Sequence, residues 1–253
     1  MPETVTAAML VIGNEILSGR TKDKNLGFLA EQLTAVGIQL SEVRVVRDVE
    51  GQVVDAVRAL SQSYDYVFTS GGIGPTHDDI TADCIAKAFN KPIGINDEAY
   101  RRLEQHYAAS DLPFNEARQR MARTPVGADL IDNPVSTAPG FIVENVYVMA
   151  GVPRIFQAMV LFVLPRLAKG RQIFSRTVHC DLGEGTVAAG LRDIQDRHGD
   201  IDIGSYPGFF EGGHDCVLVV RGTDDVVLQQ VATEIFEMVA SLGGRPEYRD
   251  RKN

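Results

Sequence analysis

Residues 71–81, Gly-Gly-Ile-Gly-Pro-Thr-His-Asp-Asp-Ile-Thr, place three glycines and two adjacent carboxylates directly after the apolar run Tyr64 to Phe68. The run reads as a buried strand. Gly71, Gly72 and Gly74 permit backbone angles that a Cβ forbids, so successive N–H groups can turn inward around an anion. Asp79 or Thr81 can cap a following helix, whose N-terminus adds a favourable partial positive charge. The span lacks the Gly-Lys-Ser/Thr ending of a Walker A loop, and His77 stands where the dinucleotide pattern needs its last glycine. The residues alone allow a phosphate cradle or a plain tight turn.

Other reactive side chains are scattered. Cys84, Cys180 and Cys216 form no C-x-x-C pair and read as reduced, buried thiols of a cytoplasmic protein. His106, His179, His198 and His214 lack the spacing of a zinc site, and His77 reads as a surface residue beside the loop. No Ser-His-Asp or Cys-His arrangement emerges. A formal charge of −9 argues against nucleic acid or anionic membrane as partner. An anionic small molecule remains open through local dipoles, and Arg20, Lys22, Lys24, Arg44 and Arg47 lie close to the strand ends that could hold it. Ala7 to Ile12 is too short to span a membrane and has no basic leader, so it reads as a strand.

The elements that must position these residues follow a simple pattern. With 253 residues and 44% hydrophobic content, the chain can bury one large core or two smaller ones. Strands are expected at 6–12, 38–46 and 64–70, with helices at 24–36 and 52–60 between them. That alternation implies a mostly parallel sheet with helices on both faces, a three-layer α/β/α arrangement. Ligands of such sheets collect beyond the carboxyl ends of the strands, where Gly13-Asn14-Glu15, Arg47-Asp48 and the glycine loop all fall. Further helices are expected at 81–89, 97–107, 115–122 and 153–169, with a strand at 143–150. The pattern changes at Lys169-Gly170-Arg171, which places a first domain at 1–170 and a second at 171–253. The β-α-β-β-α order after it suggests a small ferredoxin-like α+β domain, with a mobile tail from Pro246.

With these segments in place, the chain resembles the molybdopterin-binding domain family of molybdenum-cofactor biosynthesis, and within it the competence/damage-inducible A branch. Gly13-Asn14-Glu15-Ile16-Leu17-Ser18-Gly19 is similar to the family's G-x-E-L-L-x-G segment, with Asn25 at its following asparagine. Gly71 to Thr81 is similar to its G-G-L-G-P-T-x-D-D-L-T signature, and Asn133 to Gly140 to its N-P-x-G-T-A-P-G run. Gly151-Val152-Pro153 and Ile203 to Pro207 also match. The sequence stops short of the C-terminal deamidase domain of the longer members. Two positions depart from the pattern, Ser136 for a glycine and Ile155 for a glutamate, and both bear on substrate identity more than on fold.

The resemblance implies binding of a phosphorylated nucleotide or pterin by Gly13, Glu15, Asn25, Gly71, Gly72, Gly74, Thr81, Thr137, Ala138, Pro139 and Gly140. Asp48 and Asp79 match the family's two functional aspartates. They would share Mg²⁺ or another divalent cation, with Asp78 as a third ligand, and one would orient an attacking water. The implied reaction is hydrolysis of a nucleotide pyrophosphate such as ADP-ribose. A non-catalytic binding module and adenylyl transfer in cofactor biosynthesis are the alternatives, and a similar domain occurs fused to eukaryotic FAD synthases. The branch also implies a homo-oligomer, dimer or trimer. On residue chemistry alone, Asp79 could simply cap its helix and Asp48 could be a turn residue.

Overall fold

A computed structural model of the chain describes residues 4–210 and 213–249. The chain divides into two compact units, with the break between Arg171 and Gln172. In the first, β1 (Thr6–Ile12), α1 (Asn14–Leu17), α2 (Asn25–Ala35), β2 (Gln39–Val46), α3 (Glu50–Ser63), β3 (Tyr66–Ser70) and α4 (Thr81–Ala88) come in succession. Then follow β4 (Ile93–Ile95), α5 (Asp97–Ala108), α6 (Glu116–Gln119), β5 (Arg123–Pro125), β6 (Asp129–Ile131), β7 (Gly140–Val143), β8 (Val146–Met149) and α7 (Pro153–Val163).

The main sheet has the order β2-β1-β3-β8-β7-β6. Its first four strands are parallel, and β7 and β6 add an antiparallel edge. Strand β1 sits between two parallel neighbours, which is why its run of apolar residues does not alternate with polar ones. Ala8, Leu10 and Ile12 pack with Val53, Val57 and Leu60 of α3 and Ile85 of α4. Ala7, Met9 and Val11 pack on the opposite face with Leu29 and Leu33 of α2 and Phe156 and Val160 of α7. The expected three layers are thus present. The antiparallel edge, α1 and the small β4–β5 sheet were not anticipated, because each is only three or four residues long.

The second unit comprises β9 (Phe174–Cys180), α8 (Glu184–Arg197), β10 (Asp202–Phe210), β11 (Gly213–Gly222), α9 (Asp225–Ser241) and β12 (Glu247–Tyr248). Its sheet, β10-β11-β9-β12, is antiparallel throughout. Val178, Cys180, Cys216, Leu218 and Val220 pack against Leu228, Val231 and Ile235 of α9 and Val187 and Ile194 of α8. The small α+β unit agrees with the expectation, with one correction. Glu247 and Tyr248 pair with His179 and Val178 as an edge strand, so this part of the tail is held in the sheet by β9. A two-residue strand carries no periodicity, and its side chains are exposed.

Candidate functional site

Parallel strands release their following loops at one edge of the sheet, and the loops after β1, β2, β3 and β8 are stitched together there. Gly13 N–H donates to Val46 O (3.2 Å), Gly71 N–H donates to Met149 O (3.1 Å), and a Cβ on Gly151 would stand 3.2 Å from Gly71 Cα. Gly71 has φ 111°, and a Cβ there would fall 2.2 Å from Ile12 O, so no other residue fits without displacing backbone. Gly72 has φ 71°. After this turn the N–H groups of Gly72, Ile73 and Gly74 have no acceptor among the described residues.

Thr81 clasps the loop from below. Its N–H donates to Gly72 O (3.0 Å) and its hydroxyl to Gly71 O (3.0 Å), and the residue is fully buried. The hydroxyl's hydrogen is thus engaged in holding the turn. The expected helix cap is corrected, because the residue before α4 is Ile80 and no side chain caps it. Asp79 instead turns back on the loop, where its Oδ2 accepts from Thr76 N–H (2.8 Å) and from the Thr76 hydroxyl. Gly74 lies so close to this carboxylate that a Cβ would stand 2.7 Å from Oδ2. Asp78 is exposed, and hydrogen bonding around Thr76, then its own backbone, holds its carboxyl below the ordinary value.

Two hollows open at this edge. The first, open to solvent, is walled by Gly72, Ile73, Gly74, Asp79, Pro139 and Phe141, together with Asp83 of α4, Arg120 and Arg123. Arg120 donates to Asp79 O (3.2 Å), and Arg123 makes a two-point contact with Asp83 (2.7 and 3.2 Å). The second, also open to solvent, is walled by Ile12, Glu15, Ile16, Asn25, Ser70, Gly151 and Pro153, with Lys22, Asp23 and Lys24. Asn25 is 2% exposed and donates both amide hydrogens, to Ser70 Oγ and to Gly151 O (each 2.8 Å).

The remaining sequence candidates separate. Asp48 lines neither hollow; its Oδ2 accepts from Asn14 N–H (2.8 Å), which anchors the first turn of α1. Asp48, Asp78 and Asp79 do not form a cluster, since among the described residues no group of three or more His, Cys, Asp or Glu converges to hold an ion. The described side chains thus build no ready-made metal cage. Of the 137–140 loop only Pro139 reaches a hollow. Thr137 adopts φ 65° and contacts His106 Nδ1 through its hydroxyl (3.1 Å), Ala138 packs against the α5 cluster, and Gly140 opens β7 with Val148 O 2.4 Å from where a Cβ would be. Ser136 is tied to Asn133 through both its N–H and its hydroxyl, and Ile155 packs into the α2/α7 core. Neither departure from the family pattern lines a hollow.

Arg120 and Arg123 went unnoticed in the sequence. The only signal was the local density of Arg118, Arg120 and Arg123, in a segment whose helical reading ended at 122 and assigned these arginines no role.

Residues 8–169 match the family described as "Probable molybdopterin binding domain", and residues 172–243 match "FAD synthase, middle domain". The second match places the C-terminal unit with that domain rather than with a deamidase. An Archaeoglobus fulgidus protein is 36% identical over 79% of this chain and 84% of its own length. A Caenorhabditis elegans "Probable FAD synthase" is 30% identical over 95% of this chain, which spans about half, 51%, of that protein. Among solved structures, "the protein CinA with unknown function" from Thermoplasma acidophilum superposes with a TM-score of 0.60 at 32% identity, covering 65% of this chain and 99% of its own.

Proposed function

The chain belongs to the molybdopterin-binding domain family, and we propose that it binds the phosphate groups of a nucleotide or pterin at the glycine loop and hydrolyses a nucleotide pyrophosphate there. One observation carries this reading: the unaccepted N–H groups of Gly72, Ile73 and Gly74 share a hollow with the guanidinium groups of Arg120 and Arg123. Backbone amides and arginines together suit a phosphate, and they are the groups that stabilise charge as it gathers on non-bridging oxygens. In this reading Asp79, on the same wall, would orient the attacking water. In the reaction the water oxygen bonds to phosphorus, the bridging P–O bond breaks, and two phosphomonoesters leave.

A divalent ion such as Mg²⁺ is commonly held by one or two carboxylates together with substrate phosphates. Asp79 and Asp78 could supply that carboxylate contribution once phosphate oxygens are present. When bound, the ion would supply charge neutralisation; no step above depends on it.

Incubating the protein with ADP-ribose, FAD and NAD, each with Mg²⁺, Mn²⁺ or Co²⁺, should release AMP from at least one. Folded protein that releases none would remove hydrolysis and leave binding to be tested by titration with pyrophosphate.

Adenylyl transfer is the second reading, favoured by the match of the C-terminal unit to a FAD synthase domain and by the named worm relative. There a phosphate oxygen of FMN would attack the α-phosphorus of ATP, forming FAD and releasing pyrophosphate. Supplying ATP with FMN and measuring FAD separates the two.

A further inference from the structure

The sheet of the second unit sets two cysteines face to face. Cys180, the last residue of β9, and Cys216 of β11 are directly opposed in the antiparallel register, and both are fully buried free thiols in the core that α8 and α9 cover. Arg249 N–H donates to Thr177 O on the β12 side, so the alternate residues of β9, Cys180 among them, turn their backbone toward β11. Opposed residues that exchange hydrogen bonds stand about 5.5 Å apart at Cα, and a disulfide spans roughly 4.4–6.8 Å. The ladder has already done the positioning. Cys84 has no such partner, since it lies in the α3/α4 core of the first unit.

In the closed fold neither sulfur is reactive. Burial, then the neighbouring Cys180, pushes the Cys216 thiol from 9.0 up to about 11, and burial raises Cys180 as well, so both keep their protons at neutral pH. Reaction therefore waits on an opening. Cys180 Sγ donates to Leu182 O (3.8 Å), in the turn that leads into α8. That end of α8 is lightly held, because Gly183 precedes it without a side-chain cap and Glu184, Gly185 and Thr186 are exposed. One side-chain bond ties it to β10, from the Ser205 hydroxyl to Glu184 Oε1 (2.7 Å). Such helix ends open locally at far less cost than the whole unit, which gives a small molecule a route from solvent to the thiol pair.

We propose that Cys180 and Cys216 form a modification site, a reduced dithiol that hydrogen peroxide converts to a cross-strand disulfide when the first turn of α8 opens. One sulfur, having lost its proton, attacks the peroxide; the O–O bond breaks, the sulfur becomes a sulfenic acid, and the departing hydroxide takes up a proton as water. The second sulfur then bonds to the first and expels the sulfenic oxygen as a second water. Two thiols are oxidised and one peroxide is reduced. The product joins β9 to β11, the two inner strands of the β10-β11-β9-β12 sheet, and closes the stretch of chain that carries α8 and β10. Closing that loop restricts the unfolded chain, so the oxidised second unit resists unfolding more than the reduced one. The assignment is independent of the phosphate reading of the first unit.

Treating the folded chain with hydrogen peroxide, then alkylating it in denaturant and mapping its peptides, tests this without altering the protein. The expected result is a linked Cys180 and Cys216 peptide pair, an alkylated Cys84, and the return of all three thiols after dithiothreitol. Protease should cleave the second unit of the oxidised protein about tenfold more slowly than that of the reduced protein. Ser205→Ala, which frees the first turn of α8, should oxidise about threefold faster than the unaltered chain. Three surviving thiols in both proteins would overturn the assignment, as would a sulfinic acid on either cysteine without a cross-link. A mixture of bridges that includes Cys84 would overturn it too, because that is what oxidation of an unfolded chain gives. Equal oxidation rates in the two proteins would overturn the route through α8.

Discussion

Replacing Gly72 with alanine should destabilise the first unit through two separable costs. At φ 71° Gly72 occupies the left-handed region, which an L-residue enters at about 1–2 kcal/mol. The new methyl would also stand 2.1 Å from Thr81 Oγ1, well inside contact distance. That hydroxyl must then leave Gly71 O, its partner at 3.0 Å, and a buried polar group left unsatisfied costs about 1–3 kcal/mol. The sum is about 2–5 kcal/mol, or a fall in Tm of about 4–20 °C for a chain of this size. Thr81→Ala alone should cost about 1 kcal/mol. In the double variant the hydroxyl is gone, so the pair should be less destabilising than the sum of the singles by about 1–3 kcal/mol. Urea unfolding of the four proteins measures this. Tyrosine fluorescence can report the first unit, because the chain has no tryptophan and Tyr64, Tyr66, Tyr100, Tyr107 and Tyr147 lie there. Additivity within about 0.5 kcal/mol would refute the reasoning, since it would mean the hydroxyl and the methyl never compete.

Arg120→Gln and Arg123→Gln should each weaken pyrophosphate binding by about tenfold, whereas Asp83→Asn, which releases the carboxylate that both guanidinium groups face, should strengthen it; calorimetry decides, and an unchanged Kd in the arginine variants would take them out of the site. Burial, and secondarily Glu50, pushes the Cys84 thiol from 9.0 up to about 12. The folded protein therefore keeps a proton that the unfolded chain loses from about pH 9, so this contribution to stability is complete below pH 9 and declines as pH rises toward 12. The slope of unfolding free energy between pH 9 and 10.5 should be shallower in Cys84→Ala, and an identical slope would contradict the assignment. Asn133, 2% exposed, holds its loop through bonds to Ser136 Oγ, Ala138 O, Val135 N–H and Ser136 N–H. Asn133→Ala should cost about 3–4 kcal/mol in urea unfolding, and a loss under 1 kcal/mol would show that the loop holds without it.

Much of the first unit was legible because long elements leave periodic marks. The apolar run of β1 and the stripe Val53, Val57, Leu60 of α3 identify a buried strand and its covering helix without reference to anything distant. The edge strands β6 and β7 leave no such mark, since three or four residues cannot establish a period. At the site, glycine chemistry was readable and side-chain geometry was not. Gly71 and Gly72 announce a turn by composition. Whether Thr81 faces the ligand or the loop depends on where Gly71 O lies, and whether Asp48 meets Asp79 depends on where Asn14 N–H points. Arg123 illustrates the same limit, because its partner Asp83 is 40 positions away in the chain.

The two hollows owe their separation to one backbone event. In an extended strand, residues two apart point to the same side, so Ser70 and Gly72 would ordinarily share a surface. Gly71, at φ 111° and pressed against Ile12 O, breaks that alternation, and Ser70 faces the Asn25 hollow while Gly72 faces Arg120 and Arg123. A Cβ at position 71 would have to push the end of β1 aside, which moves Gly13 and the first turn of α1 with it. Gly71→Ala should therefore weaken pyrophosphate binding and also destabilise the first unit, whereas Arg123→Gln should weaken pyrophosphate binding alone. Pyrophosphate titration and urea unfolding of the two variants would separate these patterns, and a Gly71→Ala protein that keeps both affinity and stability would show that the turn does not depend on this residue.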